Sequence, residues 1–151
     1  MIMKIGDLCP HFELTDQRGK LFNSSDWIGK KKLVIFFYPK DETPGCTKEA
    51  CTFRDRHEEF LEFDCQVIGI SSDSVDSHKQ FASKHNFNFM LLADTDKKIR
   101  KLFGVPGSLF GLLPGRVTYI IDLNGKIRGI HNSQLNPVSH IEEALDLIKQ
   151  M

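Results

Sequence analysis

The stretch "KLVIFFYPKDETPGCTKEAC", from Lys32 to Cys51, joins an apolar run to an amphipathic segment and carries two of the chain's four cysteines. The apolar run is rich in β-branched and aromatic residues, which is typical of a strand buried on both faces. Pro39 ends this strand, Thr43 is a natural N-cap, and Pro44 is a natural first residue of a helix. The sequence therefore predicts a strand, a turn and a helix that begins two residues before Cys46.

The segments after this helix predict a βαβ unit. The helical stripe continues through Ala50, Phe53, His57, Phe60 and Leu61, at the spacing of three to four residues that forms one helical face. "CQVIGISSD" follows as a second buried strand, and "SVDSHKQFASKHN" as a second helix. Parallel strands joined by a helical crossover lie side by side, because such crossovers are right-handed.

The remaining segments extend the same α/β pattern. The predicted elements are an N-terminal hairpin "FELTDQRGKLFN" (12–23), a strand "FMLLAD" (89–94), a helix around "DKKIRKLFG" (96–104), a hairpin "VTYIIDLNGKIRGIHN" (117–132) and a final helix "NPVSHIEEALDLIKQM" (136–151). We therefore expect one domain over residues 1–151, with a thioredoxin-like fold. Its central mixed sheet would be flanked by helices on both faces, with the small β-hairpin added at the N-terminus.

Composition and charge exclude several classes of function. Lysine plus arginine and aspartate plus glutamate number 20 each, so no net field favours nucleic acid or an anionic membrane. No apolar window is long enough for a signal peptide or a membrane span, and we expect a cytoplasmic protein. The six histidines and four cysteines show no zinc spacing, so neither a metal nor another cofactor is expected.

Cys46 would be the third residue of its helix. There, unpaired backbone N–H groups and the positive end of the helix dipole face the sulfur, and both favour the nucleophilic thiolate. An ordinary cysteine that happens to start a helix is the simpler interpretation. The succession of strand, proline, cap and cysteine makes a reactive thiol the better one.

Cys51 follows Cys46 by five residues, a spacing that suits neither a metal site nor a static disulfide. On an intact helix, positions five apart differ by about 140° around the axis and their Cα atoms lie roughly 8.6 Å apart. A disulfide needs less than about 7 Å. The two cysteines can therefore bridge only if the helix unwinds locally. We interpret them as a pair in which Cys46 attacks a peroxide to give a sulfenic acid and Cys51 then condenses with it.

The residues Pro39, Thr43 and Cys46 form the pattern P-x-x-x-T-x-x-C, which resembles the signature of the peroxiredoxins. "FYPKDETPGCTKEACTFRD" closely resembles the bacterioferritin-comigratory-protein or peroxiredoxin Q branch of that family. The similarity covers almost the whole chain. The segments that carry it are "GDLCPHFELTDQRGK", "GISSDSVDSHKQFASKH", "LLADTDKKIRKLFGVPG" and "LFGLLPGRVTYIIDLNGKI".

The resemblance implies a role for each of five site residues. Cys46 would be the peroxidatic cysteine, Thr43 would offer its hydroxyl to the sulfur and the peroxide, and Pro39 would shield the thiolate from water. Arg116 matches the family's active-site arginine, which would stabilise the thiolate and orient the peroxide. Cys51 matches the resolving cysteine of the subgroup with a five-residue spacing.

The same resemblance implies an atypical two-cysteine peroxidase that works as a monomer. Its substrates would be hydrogen peroxide and organic hydroperoxides, and thioredoxin or a similar dithiol would reduce its intramolecular disulfide. The alternative is a thioredoxin-like module for thiol-disulfide exchange or peroxide sensing. Protein disulfide exchangers usually carry C-x-x-C at the helix start, whereas this chain has C-x-x-x-x-C, which favours the peroxidase.

Two further groups of residues have less specific interpretations. Cys9 and Cys65 are expected to be packing residues, because a free cysteine behaves as a small hydrophobe. A group of apolar residues between 103 and 113 could form an exposed patch near the active site or could close the core, and the sequence leaves this open. That group comprises Phe103, Leu109, Phe110, Leu112 and Leu113.

Overall fold

The structure is a computed structural model that describes residues 2–107 and 115–151. Seven strands and four α-helices lie within these ranges, together with a short 3-10 turn at Ser24–Asp26. The strands are β1 (Glu13–Asp16), β2 (Leu21–Asn23), β3 (Lys32–Phe37), β4 (Cys65–Ser71), β5 (Met90–Ala93), β6 (Val117–Ile121) and β7 (Ile127–Asn132). The helices are α1 (Pro44–Glu62), α2 (Val75–His85), α3 (Lys98–Phe103) and α4 (Pro137–Gln150).

The strands form one mixed sheet in the order β2-β1-β5-β4-β3-β6-β7. The neighbours β3, β4 and β5 are parallel, as predicted for a βαβ unit, and β6 and β7 form the predicted antiparallel hairpin. The sequence also predicts the N-terminal hairpin, but it does not predict which strand of the sheet the hairpin pairs with. It joins the sheet through antiparallel pairing of β1 with β5, so it extends the sheet beyond the parallel strands.

Helices cover both faces of the sheet, as expected. One face packs against α1, α2 and α4, with Val34 and Phe36 of β3 in the same apolar cluster as Phe53 of α1. The opposite face packs against α3 and the N-terminal segment, where Phe37 of β3 contacts Phe103. The central strand β3 is therefore buried on both sides, as its unbroken apolar run predicts.

The start of α1 is where the sequence predicts it. Thr43 is the N-cap residue in an extended conformation, and Pro44 is the first helical residue. Strand β3 ends at Phe37, so Tyr38–Thr43 forms a loop that leads from the middle of the sheet into the helix. No helix in the described part of the chain is long and apolar enough to cross a membrane.

Candidate active site

Cys46 is the third residue of α1 and is buried, with 1% of its surface exposed. The first hydrogen bond of the helix runs from the Thr47 N–H to the Thr43 carbonyl. The backbone N–H groups before Thr47 have no acceptor within the helix, so the positive end of the helix lies at the sulfur. Cys46 therefore lies in the first turn of the helix, where the sequence predicts it.

Arg116 reaches the same sulfur from the sheet. Its Nη2 lies 3.5 Å from Cys46 Sγ, although the two residues are 70 positions apart. Arg116 directly precedes β6, and the pairing of Val117 with Phe37 places the start of β6 beside the end of β3. The antiparallel pairing of these two strands therefore brings the arginine to the beginning of α1.

The approach of Arg116 to the helix depends on a glycine. A Cβ atom added to Gly45 would lie 3.1 Å from Arg116 Nη2, closer than about nine in ten such contacts in proteins. The absence of a side chain at this position leaves room for the guanidinium beside the first turn. Gly45 therefore helps to set the distance between Arg116 and Cys46.

A buried carboxylate fixes the other end of the guanidinium. Arg116 Nη1 donates to Glu49 Oε1 at 2.7 Å, and both side chains are almost fully buried. Glu49 lies one helical turn after Cys46, so the two side chains point toward the same region. Burial raises the pKa of Glu49 to about 8, although the neighbouring Arg116 opposes this shift.

A histidine of α4 lies behind Glu49. His140 Nδ1 lies 3.6 Å from Glu49 Oε2 and 2.8 Å from the Thr118 hydroxyl. His140 Nε2 lies 2.7 Å from the Ser133 carbonyl, which can only accept, so this nitrogen carries the ring proton. Burial lowers the pKa of His140 to about 4. The histidine is therefore neutral near pH 7, and Nδ1 accepts the hydrogen bond from Thr118.

A second arginine holds the chain next to Arg116. Arg100 Nη1 donates to the Gly115 carbonyl and Nη2 donates to the Tyr38 carbonyl, each at 2.9 Å. These bonds tie the residue before Arg116 to the loop that leads into α1. Burial lowers the pKa of Arg100, while the negative charges near it oppose this effect. Arg100 is thus a buried positioning residue for both parts of the site.

The comparisons with known proteins identify the family. The family model described as AhpC/TSA family matches residues 5–130. The chain belongs to the AhpC/TSA family. It is 49% identical over 146 residues to a chloroplastic peroxiredoxin Q of Sedum lineare, a match that covers 97% of this chain and 78% of that protein. The chain is therefore a peroxiredoxin, a thiol peroxidase, as its sequence predicts.

Solved structures support the same identification. The crystal structure of the peroxidoxin BcpB from Mycobacterium tuberculosis matches with a TM-score of 0.90 and 38% identity, covering 99% of this chain and 98% of that one. A bacterioferritin comigratory protein of Xanthomonas campestris, solved in complexes that concern its alkyl peroxide reduction activity, matches with a TM-score of 0.83 and 29% identity. That match covers 92% of this chain and 90% of the other. The thioredoxin-like fold is confirmed.

Cys51 of this peroxiredoxin lies on the same unbroken helix as Cys46. It is half-buried, and all four cysteines are free. Partial burial raises the pKa of the Cys51 thiol, an effect that Arg54 opposes. Because α1 runs continuously from Pro44 to Glu62, the two sulfurs are held apart in the conformation described here.

Thr43 and Pro39 lie in the loop before the helix. The Thr43 hydroxyl donates to the Lys40 carbonyl at 3.0 Å, so in this structure its proton is directed into the loop and not at the Cys46 sulfur. Pro39 is half-buried immediately after Tyr38. Both residues precede α1, and their roles at the Cys46 sulfur stay predictions.

The other two cysteines of the peroxiredoxin lie in the apolar interior. Burial raises the pKa of both Cys9 and Cys65 to about 12, so neither is a ready nucleophile. Phe103 is fully buried against Phe37 and Tyr119, so it closes the core and does not form an exposed patch. The other members of the predicted patch, Leu109, Phe110, Leu112 and Leu113, lie outside the described residues.

Sequence reasoning missed three residues that support the site. Glu49 could have been found, because a carboxylate three residues after a reactive cysteine on a helix points to the same region. Arg100 and His140 gave no local signal. They reach the site from α3 and α4, and only the order of the strands and helices brings them there.

Proposed function

We propose that this peroxiredoxin reduces peroxides with Cys46 as the peroxidatic cysteine and Cys51 as the resolving cysteine of an atypical two-cysteine cycle. The observation that carries the proposal is the contact between Arg116 Nη2 and the buried Cys46 sulfur at the first turn of α1. A fixed positive charge at a helix N-terminus stabilises a thiolate and the negative charge that develops on a departing oxygen.

In the first step, the Cys46 thiolate attacks one peroxide oxygen. The S–O bond forms as the O–O bond breaks, and the departing oxygen takes a proton to leave as water or an alcohol. Cys46 becomes a sulfenic acid and the peroxide is reduced by two electrons. Arg116 would hold the peroxide oxygens, since Glu49 fixes one side of its guanidinium and leaves Nη2 directed at the sulfur.

In the second step, the first turns of α1 unwind and the Cys51 thiolate attacks the sulfenic sulfur of Cys46. The S–S bond forms, and the hydroxyl group leaves with a proton as water. Unwinding is required because positions five apart on an intact helix are too distant for a disulfide. An external dithiol then reduces the disulfide through a mixed disulfide, which returns both cysteines to thiols.

The substrates we propose are hydrogen peroxide and alkyl hydroperoxides, and the reductant is thioredoxin or a similar dithiol protein. The alkyl substrates are supported by the Xanthomonas campestris relative, whose alkyl peroxide reduction activity was studied. The monomeric state and the cytoplasmic location stay predictions.

A coupled assay tests this proposal. Thioredoxin, thioredoxin reductase and NADPH are supplied, and NADPH consumption is followed with hydrogen peroxide and with tert-butyl hydroperoxide. We expect turnover by the wild type and by Cys9→Ser and Cys65→Ser, and none by Cys46→Ser or Cys51→Ser. Turnover that survives in Cys46→Ser would contradict the proposal. Protein disulfide exchange without peroxide consumption would favour the exchange module instead.

A further inference from the structure

One buried carboxylate holds the loop that leads into α1. Asp41 is 4% exposed, and its Oδ1 accepts a hydrogen bond of 2.6 Å from the Tyr38 hydroxyl. Its Oδ2 accepts from the Ser77 hydroxyl at 2.8 Å and lies 2.7 Å from His78 Nδ1. Its backbone N–H donates to Asp73 Oδ2 at 2.8 Å. These four contacts, which we call the Asp41 anchor, hold the loop in place.

His78 of α2 is a buried partner of Asp41. His78 Nε2 lies 3.0 Å from the Leu92 carbonyl, which can only accept, so Nε2 carries a proton. The other ring nitrogen, His78 Nδ1, faces the Asp41 carboxyl group. The histidine thereby links the loop to α2 and, through Leu92, to β5.

The chain between this anchor and the active cysteine is short and strained. Only four residues separate Asp41 from Cys46, and among them Glu42 has a φ of +65°, a left-handed conformation that is unfavourable for a residue with a side chain. Release of the loop would relieve this conformation. The Asp41 anchor opposes the release, because it fixes the chain directly before the N-cap of α1.

We propose that Asp41 and His78 are positioning residues that set the balance between two conformations of the first turns of α1. In the folded conformation Cys46 reacts with peroxide, and in the unwound conformation it forms the disulfide with Cys51. The inference rests on the proposed two-cysteine function. Weakening the anchor raises the population of the unwound conformation, and the rate of disulfide formation rises in proportion while that conformation is the minor one.

The test separates the two chemical steps in the full-length protein. Reduced protein is mixed with hydrogen peroxide and quenched at intervals, and mass spectrometry counts chains with a Cys46 thiol, a trapped Cys46 sulfenic acid, or a Cys46–Cys51 disulfide. In Asp41→Ala we expect disulfide formation about tenfold faster, equivalent to ~1.4 kcal/mol, with the rate of Cys46 oxidation within about threefold of wild type. Asp41→Asn, which keeps the shape of the side chain, should change the same rate in the same direction by a smaller factor.

Asp16→Ala is the matched control. Asp16 is also a buried aspartate that accepts hydrogen bonds from a turn, at Arg18 and Lys20, but it lies in the N-terminal hairpin. This variant should leave both rates within about twofold of wild type. If the wild type forms the disulfide and neither Asp41 variant forms it faster, the inference is overturned while the proposed function stands. If the wild type forms no such disulfide, both are overturned.

Discussion

At the residue scale, Arg116 connects the two buried acidic side chains of the site, Cys46 and Glu49. Its guanidinium contacts the Cys46 sulfur with one nitrogen and the Glu49 carboxylate with another, and Gly45 leaves the space that it occupies. A planar group with several fixed N–H donors can make both contacts at once, whereas a lysine ammonium is a single point of charge. We therefore expect the site to need arginine in particular and not only a positive charge.

Replacement of Arg116 by lysine should accordingly slow the first chemical step. We predict that Arg116→Lys lowers the second-order rate constant of Cys46 with hydrogen peroxide by about 10²-fold, the usual effect of losing one group that stabilises charge in a transition state. Rapid mixing with limiting peroxide measures this constant. Arg128→Lys, a partly exposed arginine on β7, serves as the control and should react like the wild type. Equal rates for Arg116→Lys and wild type would contradict the role of the guanidinium.

The residues of the site differ in how far the sequence predicts them. Cys46, Thr43 and Pro44 lie within four positions, so local capping rules place the cysteine in the first turn without any knowledge of the fold. Arg116 has no local signal, and only the resemblance to a family pointed to it. Its contact with Cys46 depends on the pairing of β3 with β6, which local patterns do not specify.

At the element scale, α1 serves two opposed requirements. Its intact first turn places Cys46 next to Arg116, yet a Cys46–Cys51 disulfide needs that turn to unwind. The rest of the helix is held by Phe53 and Phe60, which are fully buried in the core. Unwinding should therefore be confined to the N-terminal turns.

Glycine substitutions along α1 test this confinement. Lys48 and Glu58 are both exposed on the helix, but only Lys48 lies between the two cysteines. A glycine in an exposed helix interior costs about 1 kcal/mol relative to a good helix former. We predict that Lys48→Gly speeds disulfide formation about fivefold in the rapid-quench experiment. Glu58→Gly, with a similar cost to the helix, should leave that rate unchanged, and an equal acceleration in both variants would contradict local unwinding.

At the scale of the whole molecule, the order of the strands in the sheet brings the residues of the site together. The end of β3, the start of β6 and the first turn of α1 meet in the middle of the sheet, and α4 packs behind them. The sequence predicted the strands and helices, because their apolar periodicities are strong. It did not predict that β1 pairs with β5, since the edge to which an N-terminal hairpin adds depends on packing far along the chain.

The buried histidine of α4 should make the stability of the molecule depend on pH. The pKa of His140 falls from 6.5 to about 4 on folding, so the unfolded chain binds more protons between these values. The free energy of unfolding therefore falls as the pH is lowered through this window, by up to about 3 kcal/mol from this residue. Glu49, with its pKa raised to about 8, contributes in the opposite direction, because its stabilisation is lost as the pH rises from 4.5 to 8.

Comparison of variants isolates the contribution of His140. We predict that urea denaturation at pH 7 and pH 4 gives a smaller loss of unfolding free energy for His140→Gln than for the wild type. His11→Gln, which replaces an exposed histidine, should follow the wild type. If the difference between the two pH values is the same for all three proteins, His140 is not the group that titrates on unfolding.

In the proposed cycle, Cys46 reacts with peroxide and Cys51 resolves the product within the same chain. The most direct measurement adds one equivalent of hydrogen peroxide to the fully reduced protein, blocks the remaining thiols and maps the oxidised cysteines by peptide mass spectrometry. We predict a Cys46–Cys51 disulfide within seconds, with free thiols left at Cys9 and Cys65. An unmodified Cys46, or a disulfide that joins Cys46 to any other cysteine, would contradict the claim.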